Sequence, residues 1–93
     1  MLVDKVARKL NIDPDKLMRE SLLRWFEEEL AEIKAEIAEI MIKYNIKSTK
    51  ELEEKKKKGK IPEHPTWEDL IVLEELMETK RRLEEGLAIV KKS

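Results

Sequence analysis

The sequence predicts an all-α protein: a long antiparallel helical hairpin of coiled-coil character, with a short N-terminal helix and a short connecting helix. Three observations carry that prediction. After Pro14, no glycine or proline occurs until Gly59, so residues 14–44 can run as one helix. Within them Leu22, Phe26, Leu30, Ile33, Ile37, Ile40 and Tyr44 recur at steps of 4, 4, 3, 4, 3 and 4, a stripe on one helix face. Charged residues make up 44% of the chain and hydrophobic ones 41%, a balance that suits long solvent-laced helices better than a sheet.

The elements follow in order within a single domain of 93 residues. Residues 2–10 carry Val3, Val6, Ala7 and Leu10 at helical spacing and form a first short helix. Asn11-Ile12-Asp13-Pro14 ends it, because a residue before proline avoids helical geometry. Asp13 then caps the long helix over 14–44, and Pro14 suits its first turn. At ~1.5 Å per residue that rod is about 46 Å long, more than so small a chain covers well. Its start is broadly apolar, with Leu17, Met18, Leu22, Leu23, Trp25 and Phe26, and the first helix folds back on it as a cap. From Leu30 the stripe narrows to a seam with Ala31, Ala35 and Ala38 beside it.

Asn45 supplies a left-handed stop. Ser48-Thr49-Lys50-Glu51 reads as a capping box for a third helix over 49–58, which ends at Gly59. The segment from Lys60 to Pro65 reads as an extended turn. Thr66-Trp67-Glu68-Asp69 reads as the start of a last helix over 67–90, with Leu70, Leu73, Leu76 or Met77, Leu83, Leu87 and Val90 on its stripe. Gly86 within it costs about 1 kcal/mol relative to alanine and predicts an adaptable last turn. The connection is long enough for the two long helices to run antiparallel, with Trp67, Leu70 and Leu73 in the core. The apolar surface left over predicts a homodimeric bundle, or a partner protein in the same role.

Lys and Arg number 20 against 21 Asp and Glu, so net charge gives no general attraction to nucleic acid or to an anionic membrane. There is no cysteine, which excludes disulfides, thiolate metal sites and cysteine nucleophiles. No apolar run approaches the ~18 residues of a membrane span. Asp4, Lys5, Arg8 and Lys9 interrupt any signal-peptide core, so a cytoplasmic protein is expected. Abundant Glu, Lys and Ile without a single Gln is the pattern of thermophilic proteins.

Few side chains suggest chemistry. Lys55, Lys56, Lys57, Lys58 and Lys60 are candidates for phosphate contact. No aromatic residue interleaves them, Glu51, Glu53 and Glu54 precede them, and lysines at a helix end are favoured by the helix dipole alone. Glu29, Glu32, Glu36 and Glu39 have helical spacing, but helical di-metal sites also need Glu-x-x-His pairs, and the only histidine is His64 in a loop. Ser21, Ser48, Thr49, Thr66, Thr79 and Ser93 read as caps or surface hydroxyls rather than nucleophiles for His64. The chain is therefore expected to be no enzyme, and to use no cofactor or metal.

One stretch has the look of a known group. Lys43-Tyr44-Asn45-Ile46, Ser48, Glu51-Leu52-Glu53-Glu54, Lys58-Gly59-Lys60-Ile61 and Glu63-His64-Pro65-Thr66-Trp67-Glu68-Asp69 follow one another in that order. The order resembles small archaeal helical antitoxin-like proteins of toxin–antitoxin pairs, in which a KYGI-S-x-x-ELE segment and a G-x-x-EHPAWED segment join a long helix to a final one. Asn45 stands where those proteins have glycine, and Lys56 where they have an apolar residue. The resemblance implies a protein that binds and silences a small, ribonuclease-like toxin. Leu83, Leu87, Ile89 and Val90 on the last helix are then the expected partner contacts. Two other readings compete: a DNA-binding autoregulator using Lys5, Arg8, Lys9, Lys16, Arg19 and Arg24 on the N-terminal helices, and a self-associating scaffold.

Overall fold

Two Asn-Ile pairs end the first two helices in the same way. Asn11 (φ 57°) and Asn45 (φ 52°) are both left-handed, a conformation asparagine tolerates better than most residues. The following N–H groups fold back five residues, Ile12 to Ala7 O at 3.0 Å and Ile46 to Met41 O at 2.9 Å, as in a Schellman stop. A computed structural model describes residues 1–59 and 63–93, with backbone alone over 63–66. It contains α1 (Leu2–Leu10), α2 (Pro14–Tyr44), α3 (Thr49–Lys57) and α4 (Glu63–Lys92), and no strand among the described residues.

The starts follow side-chain chemistry. Asp13 accepts a hydrogen bond from the Asp15 N–H at 3.2 Å, and Ser48 Oγ accepts one from the Glu51 N–H at 3.2 Å. The Glu51 carboxylate reaches back to the Lys47 N–H at 2.9 Å, one residue beyond the usual box. The last helix starts at Glu63 rather than at residue 67, so Thr66 does not open it. Pro65 fits inside that first turn because its missing N–H would have no helical partner there. The extended turn expected over 60–65 is overturned at 63–65, which are the first residues of the helix, and 60–62 lie outside the described residues.

The long helices α2 and α4 pack antiparallel in one unbroken register. Lys43 meets Asp69, and Phe26 meets Gly86. Seventeen residues back along α2 thus correspond to seventeen forward along α4. On α2 the inward face is Leu23, Phe26, Leu30, Ile33, Ile37, Ile40 and Tyr44, and on α4 it is Asp69, Leu73, Leu76, Lys80, Leu83, Leu87 and Val90. Both sets alternate steps of three and four, the heptad frame of an antiparallel coiled coil.

Two residues assigned from sequence to a seam of the hairpin or of a dimer, Leu22 and Trp67, lie off the hairpin frame. Leu22 is 40% exposed and Leu23 takes its place, because the frame needs a step of three before Phe26. Trp67 is 53% exposed, since the frame on α4 passes through Asp69 and Leu73 and turns residue 67 away from α2. Gly86 is not a loose point either. Phe26 packs so closely that an added Cβ would lie 2.7 Å from its ring, and the helix continues through Gly86 to Lys92.

The core sits at the hairpin's closed end. Leu52 of α3 and Leu73 of α4 are wholly buried and join Ile37, Ile46 and Leu70, with Ile33, Ile40, Met41, Tyr44 and Leu76 around them. The short helix α3 packs on α4 and sends Leu52 into this cluster. At the open end, α1 packs on α2 with Ala7 fully covered. The molecule is a rod of 61 × 21 × 18 Å.

Candidate partner-binding surfaces

At the closed end, polar side chains clasp the hairpin. Asp69 occupies a seam position opposite Tyr44 and accepts hydrogen bonds from the Tyr44 hydroxyl and, at 2.7 Å, from Lys43 Nζ. Lys43, then Tyr44, hold the Asp69 carboxyl below the usual aspartate range, and Asp69 in turn raises Lys43. Lys55 donates to the carbonyls of Tyr44 and Asn45, both at 3.0 Å, neutralising the C-terminal end of α2. That lysine is accordingly a helix cap and not a free phosphate contact. Lys56 is half-buried, Lys57 and Lys58 are exposed, and Lys60 lies outside the described residues. The described lysines of the run therefore stand in three settings: a helix cap, a half-buried position and two exposed ones.

Beside that corner Glu53, Lys56, Lys57, Trp67, Leu70, Ile71 and Glu74 line a cleft of about 430 Å³. The structure thus brings an exposed tryptophan to the lysines, which the order of residues did not suggest.

The open end carries a second cleft. Met18, Leu22, Ile89 and Val90 line about 310 Å³ between the start of α2 and the end of α4, with Asp15, Arg19 and Ser93 at the rim. Trp25, one turn beyond Leu22, is half exposed and stacks edge-on against Phe26 at 5.0 Å. Of the four residues expected on α4, Ile89 alone is strongly exposed, at 69%. Leu83 and Leu87 are half-buried on the face toward α2, and Val90 is buried at the cleft floor. The heptad frame spends Leu83 and Leu87 on the hairpin itself, while Val90 both closes the hairpin and lines the cleft. Leu22 and Met18 replace Leu83 and Leu87. The signal was present in the sequence: a strict frame through Tyr44 leaves Met18, Leu22 and Trp25 on the flank.

The remaining sequence candidates stay apart. Glu32, Glu36 and Glu39 are exposed and Glu29 half-buried, and no cluster among the described residues has the makings of a metal site. The side chain of His64 lies outside the described residues. Lys5, Arg8, Lys9, Lys16, Arg19 and Arg24 are exposed, but Asp13 and Asp15 stand at the start of α2, where a reading helix would meet phosphate. No helix of the described residues is long and apolar enough to cross a membrane.

These features define a class: an elongated helical hairpin whose surface opportunities are clefts on helix faces. The chain belongs to the family described as Uncharacterized protein MJ0235 family, whose model matches residues 1–92. No curated protein and no solved structure matches it.

Proposed function

We propose that this chain is a non-catalytic protein-binding module, an antitoxin that holds a small ribonuclease-like toxin at the open end of the hairpin. The observation that carries the binding reading is the cleft of about 310 Å³ formed by Met18, Leu22, Ile89 and Val90. An amphipathic helix or apolar strap laid between two helix ends buries its anchors in such a groove. Methionine adapts to varied shapes, and Trp25, half exposed one turn beyond Leu22, is of a residue type that often dominates interface energy. The toxin as occupant is supported by the resemblance of residues 43–69 to antitoxins. Exposed carboxylates along α2, such as Glu32, Glu36 and Glu39, would compete with RNA for a basic nuclease cleft.

The test is co-expression with the product of the adjacent gene, followed by pull-down and light scattering. The reading expects a stable complex in which a toxic protein becomes harmless. Leu22→Asp and Ile89→Asp should abolish the complex without reducing helix content, since both side chains are exposed in the isolated chain. A neighbour that is not toxic, or a complex indifferent to both changes, defeats it.

A further inference from the structure

We infer that two copies of this chain pair through the face of α4 that begins at Trp67. The surface there has an order. Lys56 and Lys57 of α3 stand at one end, Trp67, Leu70 and Ile71 form the middle, and Glu74 and Glu75 stand at the other end. The first cleft and the next share Ile71 and Glu74, so the three zones form a continuous strip. Glu53 is the exception at the basic end, where Lys56 and Lys57 outnumber it. Further along, Glu78 is already engaged by Arg81 at 2.6 Å and Arg82 at 3.3 Å, which leaves Glu74 and Glu75 as the acidic end.

A strip that is positive, apolar and negative in sequence is complementary to itself turned end for end. A two-fold axis through Ile71 lays the lysines of each copy on the carboxylates of the other and closes the apolar middle on itself. That is the demand an isologous interface makes of a single surface. A partner of one charge sign would be attracted at one end and repelled at the other. Nucleic acid, which the lysines alone would suit, meets Glu74 and Glu75.

The surface area points the same way. The chain exposes 7336 Å², whereas a compact monomer of 11.0 kDa exposes about 5,600 Å². The excess of about 1,700 Å² per copy comes from the elongated 61 × 21 × 18 Å shape and leaves room for the ~800 Å² that each partner contributes to a standard interface. Trp67, half exposed at the strip's centre, supplies a large rigid apolar surface for it.

Sedimentation equilibrium of the full-length chain tests the pairing on a surface separate from the open-end cleft. The wild type should be dimeric, and Ile71→Asp should weaken the dimer about 30-fold or more at unchanged helix content. Lys56→Glu/Lys57→Glu and Glu74→Lys/Glu75→Lys should each be monomeric alone, because like charges then meet at both ends of the strip. Mixed, the two variants should form a one-to-one heterodimer, since every contact regains its opposite sign. A wild type that stays monomeric, a dimer that survives Ile71→Asp, or swapped variants that fail to pair on mixing would each overturn the inference.

Discussion

The Phe26 ring fills the space where a side chain at Gly86 would stand. A Cβ built on Gly86 lies 2.7 Å from Phe26 Cζ and 2.8 Å from Cε1, closer than real contacts allow. The glycine that weakens α4 locally is therefore what lets the aromatic ring of α2 reach the opposing backbone. Phe26 is held in turn by the edge of Trp25.

This contact predicts a change of sign. Gly86→Ala gains about 1 kcal/mol of helix propensity but must displace a packed ring, and overpacking costs about 1–3 kcal/mol. The variant should be less stable than wild type in urea unfolding. In a Phe26→Leu background the same change should stabilise, because the ring is gone and only the propensity remains. Equal effects in both backgrounds would show that the ring moves aside freely.

The clasp at the other end predicts acid sensitivity. Asp69 has a lowered folded pKa, from its hydrogen bonds with Lys43 and Tyr44, so its stabilising contribution is complete above the ordinary value of 3.8. It is lost as pH falls from there through the lower folded value. Asp69→Asn should destabilise at neutral pH and progressively less as the pH falls below 3.8. Tyr44→Phe removes the hydrogen bond to Asp69 and should cost about 1 kcal/mol at neutral pH. Urea midpoints measured across the acid range for the three proteins check both statements.

The lysines should separate by role. Lys55→Met removes two bonds to the carbonyls that end α2 and should lower the melting temperature, at a cost of about 1 kcal/mol. Lys57→Met, at an exposed position with no such partner, should change stability by less than about 0.5 kcal/mol. Similar losses from both substitutions would contradict the capping geometry.

Position in the heptad frame should decide the cost of truncation. Leu73→Ala, at a wholly buried site, should cost about 3 kcal/mol. Leu22→Ala and Trp67→Ala lie off the frame and should each cost about 1 kcal/mol or less in the isolated chain. Thermal unfolding at low protein concentration, where association contributes least, makes the comparison.

Much of the architecture was legible from residue order. Pro14, Asp13, Asn45 and Ser48 act through their own backbone neighbours, so the ends they set need no tertiary information. The stripe from Phe26 to Tyr44 was equally readable, because a helix turns its period directly into a face. The errors lie where a one-residue choice of frame matters. Leu22 and Leu23 are both apolar, and only the partner helix selects between them. Trp67 looked like core because it is large and apolar, while the polar Asp69 holds the seam position opposite Tyr44.

By itself, the sequence determined that this protein is helical, where its first two helices stop, and that its long helices need a partner surface. Those outcomes depend on local backbone chemistry and on periodicity. Tertiary structure alone decided the register of α2 against α4, the meeting of Phe26 with Gly86, the use of Lys55 as a cap, and the neighbourhood of Lys56, Trp67 and Glu74. Each joins residues of different elements, and side-chain packing across two elements, which no local pattern encodes, sets which of them meet.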